Sequence, residues 1–456
     1  MKTVNDIISV LDKRTINKVA KDVDFIKRNR NLTGFDFFLS LVFGSISMKT
    51  VSLAALVDCC KNINISRQAL DKRFCKEAVS FLKKLLTILF DKCLIREKSC
   101  LKYLKEFSQV LIIDSSLWQL HEKLKDVFPG FGGASSKAGC KLQLVYNLLI
   151  NQIHSITVTE GTKNDSVYSE ELLDMIKQKA LLLFDLGYFS IRFFQKIHEK
   201  GAYFISRLKG DVKIFNSKTR EQIDILKFLK KLKQADTNKF EINILLGVNQ
   251  GVSIPCRLIG MKAPKSVADK RRMQYKKRNR RVKTVKQITL QLYDWTLMIT
   301  NTPHNLLPTW IVYICYELRW QIEIIFKQFK SILQIHKINS GSEHRVKCEI
   351  YGKLIAAVII TKIHGKLNVW FWNKEKKEIS LEKFFKTIQT RAFMFMTLLQ
   401  ENFKKAIKFL EDEVLRCLRN CVKLIQRSRR TSLENLQLSS KERFRSIKPC
   451  QIPSLS

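Results

Sequence analysis

Apolar residues recur at helical spacing through residues 1–105, and two such stretches, 52–57 and 65–74, flank a polar break at Lys61-Asn62-Ile63-Asn64. This layout predicts a helix-turn-helix with Ser66 as the N-cap of its second helix. In such a unit the second helix enters the major groove, which would bring Arg67, Gln68, Lys72 and Arg73 to bases or phosphates. An ordinary helical hairpin would carry the same pattern.

From about residue 108 the period shortens. Val110-Leu111-Ile112-Ile113 is an apolar run ending at Asp114, and Leu181-Leu182-Leu183-Phe184 is a second run ending at Asp185. Runs apolar at every position suit strands buried on both faces, and the carboxylate that follows marks a tip reaching solvent. Residues 142–150 and 153–159 read as strands joined at Asn151-Gln152, residues 170–179 and 190–200 as helices, and 202–206 as another strand. The βββαβαβ order suits an α/β, ribonuclease-H-like core: a mixed sheet flanked by helices. Residues 210–290 interrupt it with alternating stretches at 240–246 and 253–260, predicting a β-rich insertion before a strand at 295–300.

Residues 316–330 predict one helix with two unlike faces. At about 100° per residue, Arg319, Glu323, Lys327 and Lys330 fall in one stripe with Tyr316, while Leu318, Ile322, Ile325, Phe326 and Phe329 make the apolar band. A carboxylate is thereby aimed among cations. A solvated helix with an i,i+4 Glu323–Lys327 pair would look similar. Residues 350–366 and 381–426 read as further helices, and 427–456 as a polar, irregular tail.

Charge sharpens the picture. Lys and Arg number 82 against 41 Asp and Glu in 456 residues, a net charge of +41, so a polyanion such as nucleic acid is the natural partner. Residues 262–286 hold twelve Lys or Arg, which suits a DNA backbone, with a solvated loop as the plainer reading. The twelve Cys show no CxxC pair and no zinc spacing, so reduced core thiols are expected. Asp6 and Asp12 interrupt the amino-terminal apolar stretch, which lacks a small-residue cleavage site, so secretion is not expected. Residues 37–48 are too short to span a bilayer, and 142–159 are broken by Gln143, Asn147, Asn151, Gln152 and His154. The expected location is the cytoplasm, at the nucleoid.

Two carboxylates at strand ends and a third on a helix, Asp114, Asp185 and Glu323, could converge on two Mg²⁺ ions, with Mn²⁺ as a substitute; such ions activate an attacking oxygen and relieve charge on a leaving one. The glycines 130, 132, 133 and 139 lack the GxxxxGK[ST] pattern of a nucleotide-binding loop. His154 and His198 have no partner pattern, and Asp165 is given at most a supporting place near the acids.

Three separated motifs carry a family resemblance: Ile112-Ile113-Asp114-Ser115-Ser116, then Phe184-Asp185-Leu186-Gly187-Tyr188-Phe189-Ser190, then Tyr316, Arg319, Glu323 and Lys330 with intervals of two, three and six residues. The chain resembles bacterial insertion-sequence transposases of the DDE class, the insertion-sequence-four family, over residues 114–330. The segments 128–133 and Ala202-Tyr203-Phe204-Ile205-Ser206-Arg207-Leu208-Lys209 share the likeness. The resemblance implies cut-and-paste DNA transposition by a homodimer that pairs two terminal inverted repeats, cleaves them and joins them to target DNA. It makes Asp114, Asp185 and Glu323 the metal-binding catalytic triad, and it sets Tyr316, Arg319 and Lys330 on the end's backbone near a flipped base. Trp295 is similar in place to the family's base-stacking Trp, although a strand Trp is equally accounted for by packing.

With that resemblance the chain divides into a helical DNA-end-binding region (1–105), a first part of the core (106–209), a β-rich insertion with a basic loop (210–293), a second part of the core (294–370), and a helical region for dimerisation with a polar tail (371–456). An inactive end-binding regulator and a ribonuclease-H-like DNA nuclease are the alternatives, told apart by metal-dependent cleavage and by strand joining.

Overall fold

The structure, a computed structural model, describes residues 12–27, 32–47, 51–60, 63–92, 103–132, 136–278 and 287–422. The basic residues 279–286 and the polar tail 427–456 lie outside the described residues. In chain order, helices α1 (Lys13–Asp22), α2 (Gly34–Ser47), α3 (Leu53–Asp58), α4 (Arg67–Asp71) and α5 (Lys76–Lys92) precede strands β1 (Val110–Gln119), β2 (Gly139–Asn147) and β3 (Gln152–Glu160). Next come α6 (Asp165–Glu171), β4 (Leu181–Phe184), α7 (Ile191–Glu199) and β5 (Tyr203–Arg207). Then β6 (Ile214–Asn216), β7 (Gln222–Ile223), α8 (Ile225–Gln234), β8 (Lys239–Leu246), β9 (Ile254–Lys262), α9 (Lys265–Arg278) and α10 (Gln287–Leu292) follow. The chain continues through β10 (Trp295–Thr300), α11 (Thr309–Glu317), α12 (Trp320–Ser331), α13 (Glu343–Glu375), α14 (Leu381–Glu401) and α15 (Phe403–Asn420).

The sheet order is β3-β2-β1-β4-β5-β10-β9-β8-β6-β7. Its first five strands run 3-2-1-4-5, with β2 and β3 antiparallel and β1, β4 and β5 parallel, which is the topology expected of the ribonuclease-H-like core. All four side chains of β4 are fully buried, as its unbroken apolar run requires. Antiparallel β10 joins β5, and the insertion continues the same sheet from it through antiparallel β9, β8 and β6.

Residue contacts divide the chain into two compact units. Over the described residues, one lies within Met1–Cys100, Asp114–Lys163 and Trp320–Gln426, and the other within Leu101–Ile113 and Asn164–Arg319. In the first, α13 packs on α2 and α5, and Gly352 leaves room for Leu41, which a Cβ would meet at 2.8 Å. Among the described residues α13 alone has the length and hydropathy of a membrane span, yet 83% of that window is buried inside the protein. Cys59, Cys60, Cys140, Cys256, Cys315, Cys348 and Cys421 are buried and form no disulfide, as expected of reduced core cysteines.

Four local expectations need correction. The run 316–330 is two helices, not one: Leu318 and Arg319 form a turn in which Leu318 N donates to Cys315 O at 3.0 Å and Arg319 N to Tyr316 O at 3.1 Å. These i→i+3 bonds tighten and end α11, while Leu318 stays fully buried, so the apolar stripe runs on through the break and conceals it. In place of the helix expected at 170–179 stands a short one, Asp165–Glu171, started by the Asn164 side chain, which accepts from Ser166 N at 3.1 Å, and followed by a 3-10 turn at Leu173–Met175.

The basic stretch is helical through Arg278 rather than a loop. In the amino-terminal hairpin, Ser66 does cap the second helix, accepting from Ala69 N at 3.2 Å. That helix is only five residues long. Its end is tied to α13, since Arg345 reaches Asp71 at 3.8 Å and lies over the Phe74 ring at 5.7 Å.

Candidate active site

Each of the first two carboxylates follows a strand of one parallel pair. The register of β1 on β4 runs from Val110 with Leu181 to Ile113 with Phe184, and the next residues along the chain are Asp114 and Asp185. Asp185 is exposed and opens a short 3-10 turn, Leu186–Tyr188, in which its carbonyl accepts from Tyr188 N at 3.1 Å. Beneath that turn an aromatic layer fixes the strand tip: Phe184 packs on Phe193 and Phe194, and Phe194 stacks on Phe204 with centroids 4.3 Å apart. Stacks of this kind add to what area burial already contributes.

Tyr316 and Arg319 belong to the same unit as Asp185. The Arg319 guanidinium sits 5.9 Å from the Tyr316 ring centroid and is 8% exposed. Burial, then the negative charge of Asp185, pushes the Tyr316 phenol up to about 12, against the pull of Arg319 and Arg207. One tyrosine therefore feels one carboxylate and two guanidinium groups. Arg207 had no role assigned from sequence; its only signal was membership in the 202–209 segment, at the end of β5.

In the other unit, half-buried Asp114 accepts from Ser115 N at 2.8 Å. Glu323 lies half-buried in the first turn of α12, whose last turn carries Lys330. Burial lowers the Lys330 ammonium pKa. Arg67, Gln68 and Lys72 are exposed and Arg73 partly so, around α4.

Trp295 begins β10 as expected, but it is 5% exposed and its ring meets Phe240 edge-on at 5.6 Å. Phe240 in turn lies over Gly260, its partner on β9, where a Cβ would come 2.0 Å from the ring. The basic helix α9 is clamped onto this strand. Arg271 donates to Thr296 Oγ1 at 3.2 Å, and Arg272 bonds Asp269 at 2.8 Å and also Asp294. The lysines 265, 270, 276 and 277 of that helix remain exposed.

Oxygen donors are what a hard divalent cation takes, and three carboxylates supply only those. Among the described residues no three His, Cys, Asp or Glu side chains are gathered closely enough to cage an ion, so it is the donor chemistry that fits.

Comparison with known proteins adds a likeness over most of the chain. Residues 105–359 match the family described as transposase DDE domain. The chain is 30% identical over 417 residues to the transposase for insertion sequence element IS231B of Bacillus thuringiensis subsp. berliner, spanning 87% of this chain and 86% of that one. It is 32% identical over 398 residues to the transposase for IS1151 of Clostridium perfringens, spanning 82% and 83%. A cryo-EM piggyBac transposase synaptic complex with hairpin DNA aligns with 91% of this chain and 83% of its own at TM-score 0.43 and 13% identity, too remote to inform the site.

Proposed function

The chain belongs to the transposase DDE-domain family, and on that premise we propose that it cleaves the ends of an insertion sequence and joins them to target DNA through Asp114, Asp185 and Glu323. DNA transposition is its activity. The observation that carries it is the β1–β4 register, whose last pair, Ile113 and Phe184, is followed on both strands by an aspartate.

The three carboxylates would hold Mg²⁺ or Mn²⁺, which when bound supplies Lewis-acid activation of the attacking oxygen and charge relief on the leaving oxygen. Tyr316, Arg319 and Lys330 would hold the phosphodiester backbone of the end. Arg319 suits this because a guanidinium stays charged when buried and presents a fork of donors to phosphate. Raised by burial, the Tyr316 phenol stays protonated and able to donate. Its DNA partners would be duplexes with terminal inverted repeats and a target duplex, handled by a homodimer in the cytoplasm.

Purified wild-type and Glu323→Gln proteins, incubated with labelled element ends and Mg²⁺ or Mn²⁺, test this. Cleavage and joining by wild type alone is the expected result. End binding without products from either protein would point to an inactive regulator, and cleavage without joining to a nuclease.

A further inference from the structure

A second carboxylate lies against the turn that carries Asp185. Asp165, in the first turn of α6, sits so close to Gly187 that a Cβ there would meet its Oδ2 at 3.1 Å and its Cγ at 3.9 Å. Gly187 is the centre of the 3-10 turn opened by Asp185. Asp165 is itself held in place. The Asn164 cap fixes the start of α6, Tyr168 and Ser169 bury its inner face, and Glu170 reaches Arg192 at 3.4 Å and Lys196 at 3.6 Å on α7. The turn is thus braced by the Phe184 aromatic layer on one side and by a fixed anion on the other.

We propose that Asp165 is a positioning residue: it holds the 185–188 turn so that Asp185 faces the cation, and its charge adds to the field that draws the cation in. This rests on the metal-dependent chemistry proposed above. Groups that orient metal ligands typically change ion affinity by about 10–100-fold when removed.

The test uses the full-length protein with Fe²⁺, ascorbate and peroxide, which cut the backbone beside a bound ion without any transposition. Wild type should be cut near residue 185, Asp185→Asn should not, and Asp165→Asn should need about 10–100-fold more Fe²⁺ for the same cutting while melting within a few degrees of wild type. Gly187→Ala, which pushes Asp165 away, should weaken the cutting as well. Adding it to Asp165→Ala should bring no further loss, since both changes break one contact. Wild-type affinity in Asp165→Asn, or fully additive losses in the double variant, would overturn the assignment of Asp165 alone. No cutting near residue 185 in wild type would overturn this proposal together with the metal chemistry beneath it.

Discussion

Arg272 and Asp294 are joined by a charge-assisted hydrogen bond that ties the basic helix α9 to the residue before β10. With Arg271 on Thr296, this divides the labour of the helix: arginines anchor it, and lysines 265, 270, 276 and 277 are left for solvent or phosphate. Each phosphate contact contributes about 0.9 to the slope of log affinity against log salt. Changing the four lysines to Gln should therefore flatten that slope for duplex DNA by up to about 3–4, with an unchanged melting temperature. Arg272→Ala should lower the melting temperature instead. Fluorescence anisotropy across a salt series, beside thermal melts, checks both.

Arg257 on β9 is a buried hub. It donates through Nε to Thr302 O at 2.8 Å, through one terminal nitrogen to Glu241 at 2.9 Å and through the other to Leu307 O at 2.7 Å, so it fixes the segment leading into α11. Removing one partner of a buried pair costs about 3–5 kcal/mol. Arg257→Ala should show a loss of that size in urea unfolding, while Arg257→Lys, which cannot make the three-way fork, should recover only part of it.

The Tyr316 phenol should resist ionisation until about pH 12, and Asp185→Asn should lower its midpoint by removing a negative neighbour. A difference titration at 295 nm between each protein and its Tyr316→Phe counterpart isolates this phenol. An unmoved midpoint in Asp185→Asn would mean that burial alone sets the shift.

Lys353 is 1% exposed and donates to Leu333 O at 2.7 Å and Gln334 O at 3.2 Å, closing the turn after α12. Burial pulls its ammonium down to about 8 from 10.5. Between those values the unfolded chain binds more protons than the folded one, so stability should rise with pH from about 8 to 10.5. Below about 8 the desolvation cost is present in full. The stability difference between wild type and Lys353→Met should shift in favour of wild type across that window, as read by urea melts at fixed pH.

Much of the core was legible because its signals are local. Leu181 to Phe184 are buried on both faces, and an apolar run is the direct imprint of that environment. Ser66 names its own cap through a side-chain bond to Ala69. The break at Leu318 and Arg319 was hidden because the turn buries Leu318 just as a helix would. The helix at α9 was hidden for the opposite reason: it has almost no apolar face, and its docking comes from Arg271 and Arg272 reaching residues more than 20 positions away. Asp165 could be given no more than a supporting place because what marks it is an absent side chain at Gly187, which only three-dimensional proximity gives meaning.

Gly260 gives the Phe240 ring its floor, and the Phe240 ring is the wall of Trp295. The place of the tryptophan is thus decided on the neighbouring strand, by a hydrogen atom. Any larger group at position 260 would lift the phenylalanine and evict the indole from its slot, so a substitution on β9 would be felt at the first residue of β10. A saturation library should find position 260 intolerant of every side chain.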